Sequence, residues 1–280
     1  MAGGMQSGSG GRTSINGQDD MDLGLRGKRA LVTGASRGIG RAIADGLAGE
    51  GADLVLTARN PVSIREASEA IRSQHRVVVE SVDADLATPD GVAKVAAAAG
   101  EIDILVNNAG AIPNGTIEEN DLASWRTAWD LKVFGYIALT REFYPSMLKR
   151  GKGVILNIIG MAGERPSAGY IMGSTGNAAL YTLTKALGAD SFDRGVRVLA
   201  VSPGYIETDR QRNKMMARAD AEFGDKSRWR EFASKLPQHR LAEVREVSDV
   251  VVFLVSDRAS FVSGTVITVD GGIASRPMPL

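Results

Sequence analysis

The chain has 280 residues, 44% hydrophobic and 24% charged, with 33 basic and 33 acidic side chains and a formal net charge of zero. That length supports one large domain with a sizeable core, and the balanced charge argues against a nucleic acid or an anionic membrane as partner. With no cysteine and only two histidines, His75 and His239, disulfides, thiolate nucleophiles and cysteine metal sites are excluded and a histidine-built metal centre is disfavoured.

The N-terminus, MAGGMQSGSGGRTSINGQDD, is rich in glycine, serine and polar residues and lacks the apolar stretch of a signal peptide. Residues 1–22 are expected to be a flexible tail ahead of a single domain over 23–280. No apolar run approaches the roughly 20 residues of a membrane span, so a soluble, cytoplasmic protein is expected. From there strand-like and helix-like segments alternate. KRALVT (28–33) reads as a buried strand. GIGRAIADGLAGEGA (38–52) reads as a helix with Ile39, Ile43 and Leu47 on one face. DLVLTA (53–58) is a strand, PVSIREASEAIRSQ (61–74) a helix started by Pro61, and RVVVESVD (76–83) a strand. TPDGVAKVAAAAG (88–100) is a helix capped by Thr88, and DILVNNAG (103–110) a strand running into a turn. A long helix over 121–149, a strand over 153–159, a helix over 170–190 and a strand over 196–203 follow. A polar, methionine-containing segment (205–238), a helix (245–256) and a last strand (264–272) close the chain. β-Branched strands separated by helices predict parallel βαβ units. The fold class is therefore α/β, a single-domain Rossmann-type doubly wound parallel sheet with helices on both faces.

TGASRGIG (33–40) follows the first strand and opens the first helix. Gly34 allows a tight turn, Gly38 lets the backbone approach a pyrophosphate, and Gly40 lets helix and strand pack closely; Ser36, Arg37 and Ile39 lie between them. The helix N-terminus offers free N–H groups and a positive dipole end to phosphates. In this strand–turn–helix setting the glycines indicate a dinucleotide site.

The spacing resembles the short-chain dehydrogenase/reductase family over about residues 24–273, and four further stretches support that resemblance. NNAG (107–110) matches the family's turn after the fourth strand, which places Asn108, Ala109 and Gly110 at the cofactor. ADL (84–86) matches the adenine-contacting segment through Asp85 and Leu86. SPGYIETD (202–209) matches the turn whose residues reach the nicotinamide carboxamide, with Pro203, Gly204, Ile206 and Thr208 at the site. SFVSGTVITVDGG (260–272) matches the closing strand. An NAD site would carry an acid at the end of the second strand; here Arg59 stands there and Arg37 lies in the glycine loop. Two guanidinium forks suit a 2′-phosphate, so NADP(H) is favoured over NAD(H).

The resemblance also implies a catalytic Asn, Ser, Tyr and Lys, and all four are replaced. Alignment on Asn157 and on AAL (178–180) puts Gly160 at the Ser position, Gly173 at the Tyr position and Asn177 at the Lys position. Alignment on Trp125 and Gly135 puts Lys132 at the Asn position. Lys132 and Asn177 thus trade places and stand as candidate catalytic groups, unless Lys132 instead points to solvent or pairs with Asp130. Loss of a phenol at Gly173 is expected to open on the order of a hundred cubic ångströms. A bulkier substrate would fill that space, or a substrate group that carries its own acid, or a side chain from elsewhere: Tyr170, Tyr205, Tyr136, Ser174, Thr175 or Glu164. Tyr170 is three residues early and has no lysine four residues on. The reading is an NADP(H)-dependent oxidoreductase moving a hydride to or from a carbonyl/alcohol or a conjugated C=C with an atypical proton relay. The alternatives are non-redox chemistry (C–C cleavage, hydration or isomerisation) on the same nucleotide-binding frame, or a catalytically silent partner or sensor. Segment 205–238 matches the family's mobile substrate lid, with Met215, Met216, Phe223, Trp229 and Phe232 as an apolar face and its charges read as a solvated exterior. A small-molecule substrate and a homo-oligomer, tetramer or dimer, follow from the resemblance. Ala178, Ala179 and Ala186 are placed either at a helix contact between subunits or inside the monomer, and residues 274–280 are placed within reach of a neighbour.

Overall fold

The computed structural model describes residues 21–276. Seven parallel strands form one sheet in the order β3-β2-β1-β4-β5-β6-β7. They are β1 (Arg29–Thr33), β2 (Asp53–Ala58), β3 (Val79–Asp83), β4 (Ile104–Asn107), β5 (Gly153–Ile158), β6 (Val196–Pro203) and β7 (Val266–Val269). The connecting helices are α1 (Gly38–Gly49), α2 (Pro61–Gln74), α3 (Pro89–Ala99), α4 (Leu122–Trp129), α5 (Gly135–Arg150), α6 (Ile171–Ser191), α7 (Asp209–Phe223), the short α8 (Arg230–Ala233) and α9 (Val244–Val255). This is the doubly wound α/β fold expected from the alternating pattern.

Successive strand residues point to opposite faces, and the core divides accordingly. Ala30 and Val32 pack with Leu54, Leu56, Ile43, Leu47, Ile64, Ile71, Val247 and Val251 under α1, α2 and α9. Leu31 and Val55 pack with Leu105, Val95, Leu139, Phe143 and Met147 under α3 and α5. Both faces are covered, which is why β1 and β2 read as unbroken apolar runs.

Local chemistry sets most boundaries. Asn60 accepts from the N–H groups of Val62 and Ser63 and starts α2, and Thr88 accepts from Gly91 N–H and starts α3. β3 opens three residues later than expected, because Val78 N–H is bound to the Asp53 carboxylate in the approaching turn. The last strand is shorter than expected, because Gly271 and Gly272 turn with φ of +66° and +82°. The long helix expected over 121–149 is interrupted: α4 and α5 are joined by a π-turn, Asp130–Phe134. The tail expected over 1–22 lies outside the described residues except for Met21 and Asp22, and Asp22 is already tied down by Arg258, which donates to its carbonyl. Residues 277–280 also lie outside them. Among the described residues no helix is long and apolar enough to cross a membrane, and no cluster of three potential ligands is arranged for a metal.

Strand order reverses between β1 and β4, which leaves a crevice at their carboxyl ends. The crevice is braced. Thr33 Oγ1 accepts from the N–H groups of Asn108 and Ala109 at 2.8 and 2.9 Å, and the Asn108 amide donates to Thr33 O and Gly34 O. Gly40 sits against this brace, and a Cβ there would overlap Gly34 and the Asn108 amide. Gly40→Ala is expected to cost about 1–3 kcal/mol as an overpacked site, read as a lowered midpoint in chemical denaturation. A wild-type midpoint would refute this packing role.

Candidate active site

A cleft of about 780 Å³ runs across the carboxyl ends of the central strands. All the residues expected at the cofactor line it except Gly40, Asp85 and Ile206. Gly40 serves packing instead. Asp85 is exposed and accepts from Ala87 N–H in its own turn. Ile206 is buried and borders the neighbouring cavity. Thr57, Ala58, Asn60 and Ser63 line the cleft beside Arg59 and were not singled out in the sequence; Asn60, just before Pro61, was the available signal. The residues fit a dinucleotide. Gly34 and Gly38 have φ of +64° and +60°, and a Cβ on Gly38 would crowd Thr208 at 3.3 Å. No side chain caps the N-terminus of α1, and its first turn holds no acid. Its N–H groups are therefore available to phosphate oxygens. Asp209 is the one acidic residue among those lining the cleft, and it belongs to α7 rather than to the Arg37–Arg59 end.

At the other end the replaced positions converge. The π-turn carries Lys132 inward, where it is buried. Its ammonium donates to Ile158 O at 2.6 Å, Ile159 O at 3.3 Å and the Tyr136 hydroxyl at 3.0 Å. It neither reaches solvent nor pairs with Asp130, which corrects that alternative. The Lys132 stem crosses Gly110, where a Cβ would lie 2.6 Å from Cδ. Burial, with the Arg210 guanidinium nearby, lowers the lysine pKa to about 7, while the surrounding acceptors favour the ammonium. Asn177, on α6, is buried with its amide against Gly160: a Cβ on Gly160 would be 3.1 Å from the Asn177 nitrogen.

The opening expected beside Gly173 is absent. Tyr170, the residue before α6, folds its ring back over Gly173, and a Cβ there would fall within the ring and 2.6 Å from the hydroxyl. Tyr170 lines a second cavity of about 720 Å³ that shares Gly160, Pro203 and Gly204 with the first. Among the described residues no hydrogen bond engages its hydroxyl. The other candidates have separate duties. Tyr136 is enclosed on Lys132 and Ile158 O. Ser174 accepts from Ser167 N–H. Thr175 donates to Ile171 O, Glu164 accepts from Thr268, and Tyr205 is at the surface.

A family model described as "Enoyl-(Acyl carrier protein) reductase" matches residues 34–274. The 3-oxoacyl-[acyl-carrier-protein] reductase FabG of Aquifex aeolicus is 34% identical over 257 residues, covering 90% of this chain and all of that protein. The gluconate 5-dehydrogenase of Gluconobacter oxydans is 36% identical, covering 89% and 95%. The crystal structure of L-sorbose reductase from Gluconobacter frateurii, complexed with NADPH and L-sorbose, superimposes with a TM-score of 0.86 at 34% identity, covering 92% of this chain and all of that one. The chain belongs to the short-chain dehydrogenase/reductase family.

It is an oxidoreductase of that family. In this short-chain dehydrogenase/reductase the lid expected over 205–238 has a small core of its own: Met215, Trp229 and Phe232 cluster with Ala219, Ala233 and Leu241, and Phe223 stacks on Phe232. Met215 and Phe232 also face the second cavity.

The lowered Lys132 pKa has a consequence for stability. Between about pH 7 and the ordinary lysine value of 10.5, the unfolded chain holds a proton that the folded chain has released. Folding stability therefore rises with pH in that window, by up to about 1.4 kcal/mol per pH unit. Below pH 7 the cost of burying the charge is carried in full. Lys132→Met is expected to remove this rise, so the stability of the wild type relative to the variant should increase from pH 6.5 to 9.5 in urea unfolding. Parallel pH profiles would show that Lys132 keeps an ordinary pKa.

Proposed function

We propose that the chain is an NADP(H)-dependent carbonyl reductase in which Tyr170 supplies the proton. The observation that carries this is the Tyr170 ring lying on Gly173, its hydroxyl 2.6 Å from where a Cβ would sit: a phenol from three residues earlier borders the cavity beside the helix position that lacks one. When bound, the dinucleotide supplies a hydride. The alkoxide formed from a carbonyl must then be protonated or stabilised, and a positioned donor contributes about 10²–10⁴-fold. Burial raises the Tyr170 pKa and the Arg210 guanidinium opposes that rise, so at neutral pH the hydroxyl is protonated and suited to donation. Asn177 offers its amide to the substrate oxygen from the Gly160 side, in the place of the usual serine. Lys132 holds the end of β5 through the carbonyls of Ile158 and Ile159 and presents its stem to the cofactor cleft.

Arg37 and Arg59 support the phosphorylated cofactor, with planar forks at the end of the cleft where an acid would select the ribose hydroxyl. Ala178, Ala179 and Ala186 are exposed on α6 rather than packed inside the monomer. That supports a homo-oligomer with this helix at the contact.

Tyr170→Phe is expected to lower kcat by about 100-fold or more with NADPH affinity unchanged. Gly173→Ala, which displaces the ring, should reproduce the loss. The assay is nicotinamide absorbance against a panel of ketones, aldehydes and enones. Full activity in Tyr170→Phe would remove the tyrosine from the mechanism, and turnover without cofactor oxidation would indicate non-redox chemistry. Arg59→Asp is expected to weaken NADPH binding by about tenfold or more with little effect on NADH, by calorimetry; equal effects on both would deny it the 2′-phosphate.

A further inference from the structure

The second cavity has a one-signed wall. Arg165, Arg210, Lys214, Arg218 and Lys235 line it, and no aspartate or glutamate does. The whole chain carries a formal charge of zero, so this is a local concentration and not a general basicity. Arg218 pairs with Glu222 at 3.3 Å. The other four have no carboxylate within ion-pair distance among the described residues. Three of them are held by neutral oxygens: Arg165 donates to Ile273 O at 2.7 Å, Arg210 to Gly110 O at 3.0 Å and Ile112 O at 2.6 Å, and Lys214 to the Asn114 amide oxygen at 3.0 Å. Such partners fix direction and leave the charge uncompensated.

Lys214 is the best placed of them. It is half-buried, its ammonium lies 5.0 Å from the centre of the Tyr170 ring, and Arg210 stands one helical turn before it on the same face of α7. Burial and Arg210 lower its pKa to about 8, the direction that marks a cation short of counter-charge. A cleft lined by one sign of charge concentrates ligands of the opposite sign.

From this we propose that the substrate is a small oxo acid whose carboxylate binds Lys214 and the α7 cations while its carbonyl faces Tyr170. The inference rests on the reductase reading above and deepens it. The ammonium beside the phenol requires a short spacer between carboxylate and carbonyl. Apolar walls from Met215, Phe232 and Leu236 receive that spacer.

The test compares acids with their neutral amides. Glutarate and glutaramide are titrated calorimetrically into the free and the NADPH-loaded protein. Kinetics are run with 3-oxo to 6-oxo acids against the corresponding amides. Glutarate is expected to bind at least tenfold more tightly than glutaramide, and at least one oxo acid should exceed its amide at least tenfold in kcat/KM, mainly through KM. Lys214→Gln should erase the preference with NADPH affinity unchanged, and Lys214→Arg should restore most of it. Equal binding of acid and amide overturns the proposal, as does a preference that survives Lys214→Gln. Reduction confined to acyl groups carried on an acidic carrier protein overturns it too, in favour of a macromolecular partner. Absence of NADPH binding would count against the cofactor reading alone, because the glutarate titration on the free protein judges the anion site independently.

Discussion

The site depends on the contact between an aromatic ring and a glycine. A phenol placed just before a helix has to cross the first turn of that helix to reach the cleft. It can lie there only where the turn carries no side chain. Gly173 meets that condition, and Tyr170 occupies the space. Glycine inside a helix costs about 1 kcal/mol relative to alanine, so the position is a liability unless something is gained by it. Here what is gained is a tyrosine lining the second cavity whose hydroxyl has no hydrogen-bond partner among the described residues. The same logic holds at Gly160, where the backbone has φ of +134° and the Asn177 amide stands against the missing side chain. The two glycines make room for a phenol and an amide that arrive from other positions.

Lys132 shows how the helix before them was adjusted. A five-residue π-turn joins α4 and α5 and carries Lys132 on its buried side. The ammonium then sits among three oxygen partners at the end of β5, and its stem requires Gly110 beneath it. Arg197 shows that a buried cation held by carbonyls is a repeated device in this fold: it donates to Leu254 O at 2.6 Å and Ser256 O at 2.9 Å, and no carboxylate among the described residues lies within ion-pair distance of it. Arg197 is remote from the cleft and ties β6 to the end of α9. Lys132 uses the same chemistry beside the cofactor residues.

The sheet was legible because its signals are local. β2, α2 and β6 have the limits that their apolar runs and turn residues predict, and Thr88 caps the helix it precedes. The glycine loop was legible because the geometry of phosphate binding constrains the chain over a few neighbouring residues. The proton-handling end was not, for a different reason. The π-turn depends on a buried ammonium finding carbonyls 26 and 27 residues further on. Tyr170 reaches Gly173 by a fold of its side chain that neither helical nor strand period describes, although an aromatic residue three before a glycine in the first turn of a helix was the visible trace. The cations of the second cavity come from residues 165, 210, 214, 218 and 235. Only the four-residue spacing of Arg210, Lys214 and Arg218 was available in sequence, and that pattern equally describes a solvated helix.

Those cations also connect α7 to the loop after β4. Arg210 and Lys214 reach from α7 across the cleft to the loop after β4, where Gly110, Ile112 and Asn114 receive them. Arg210 lowers the pKa of Tyr170, of Lys132 and of Lys214, so one guanidinium on α7 bears on three titratable groups of the site. For Tyr170 two effects oppose each other: burial raises the pKa of the phenol, and the Arg210 guanidinium lowers it.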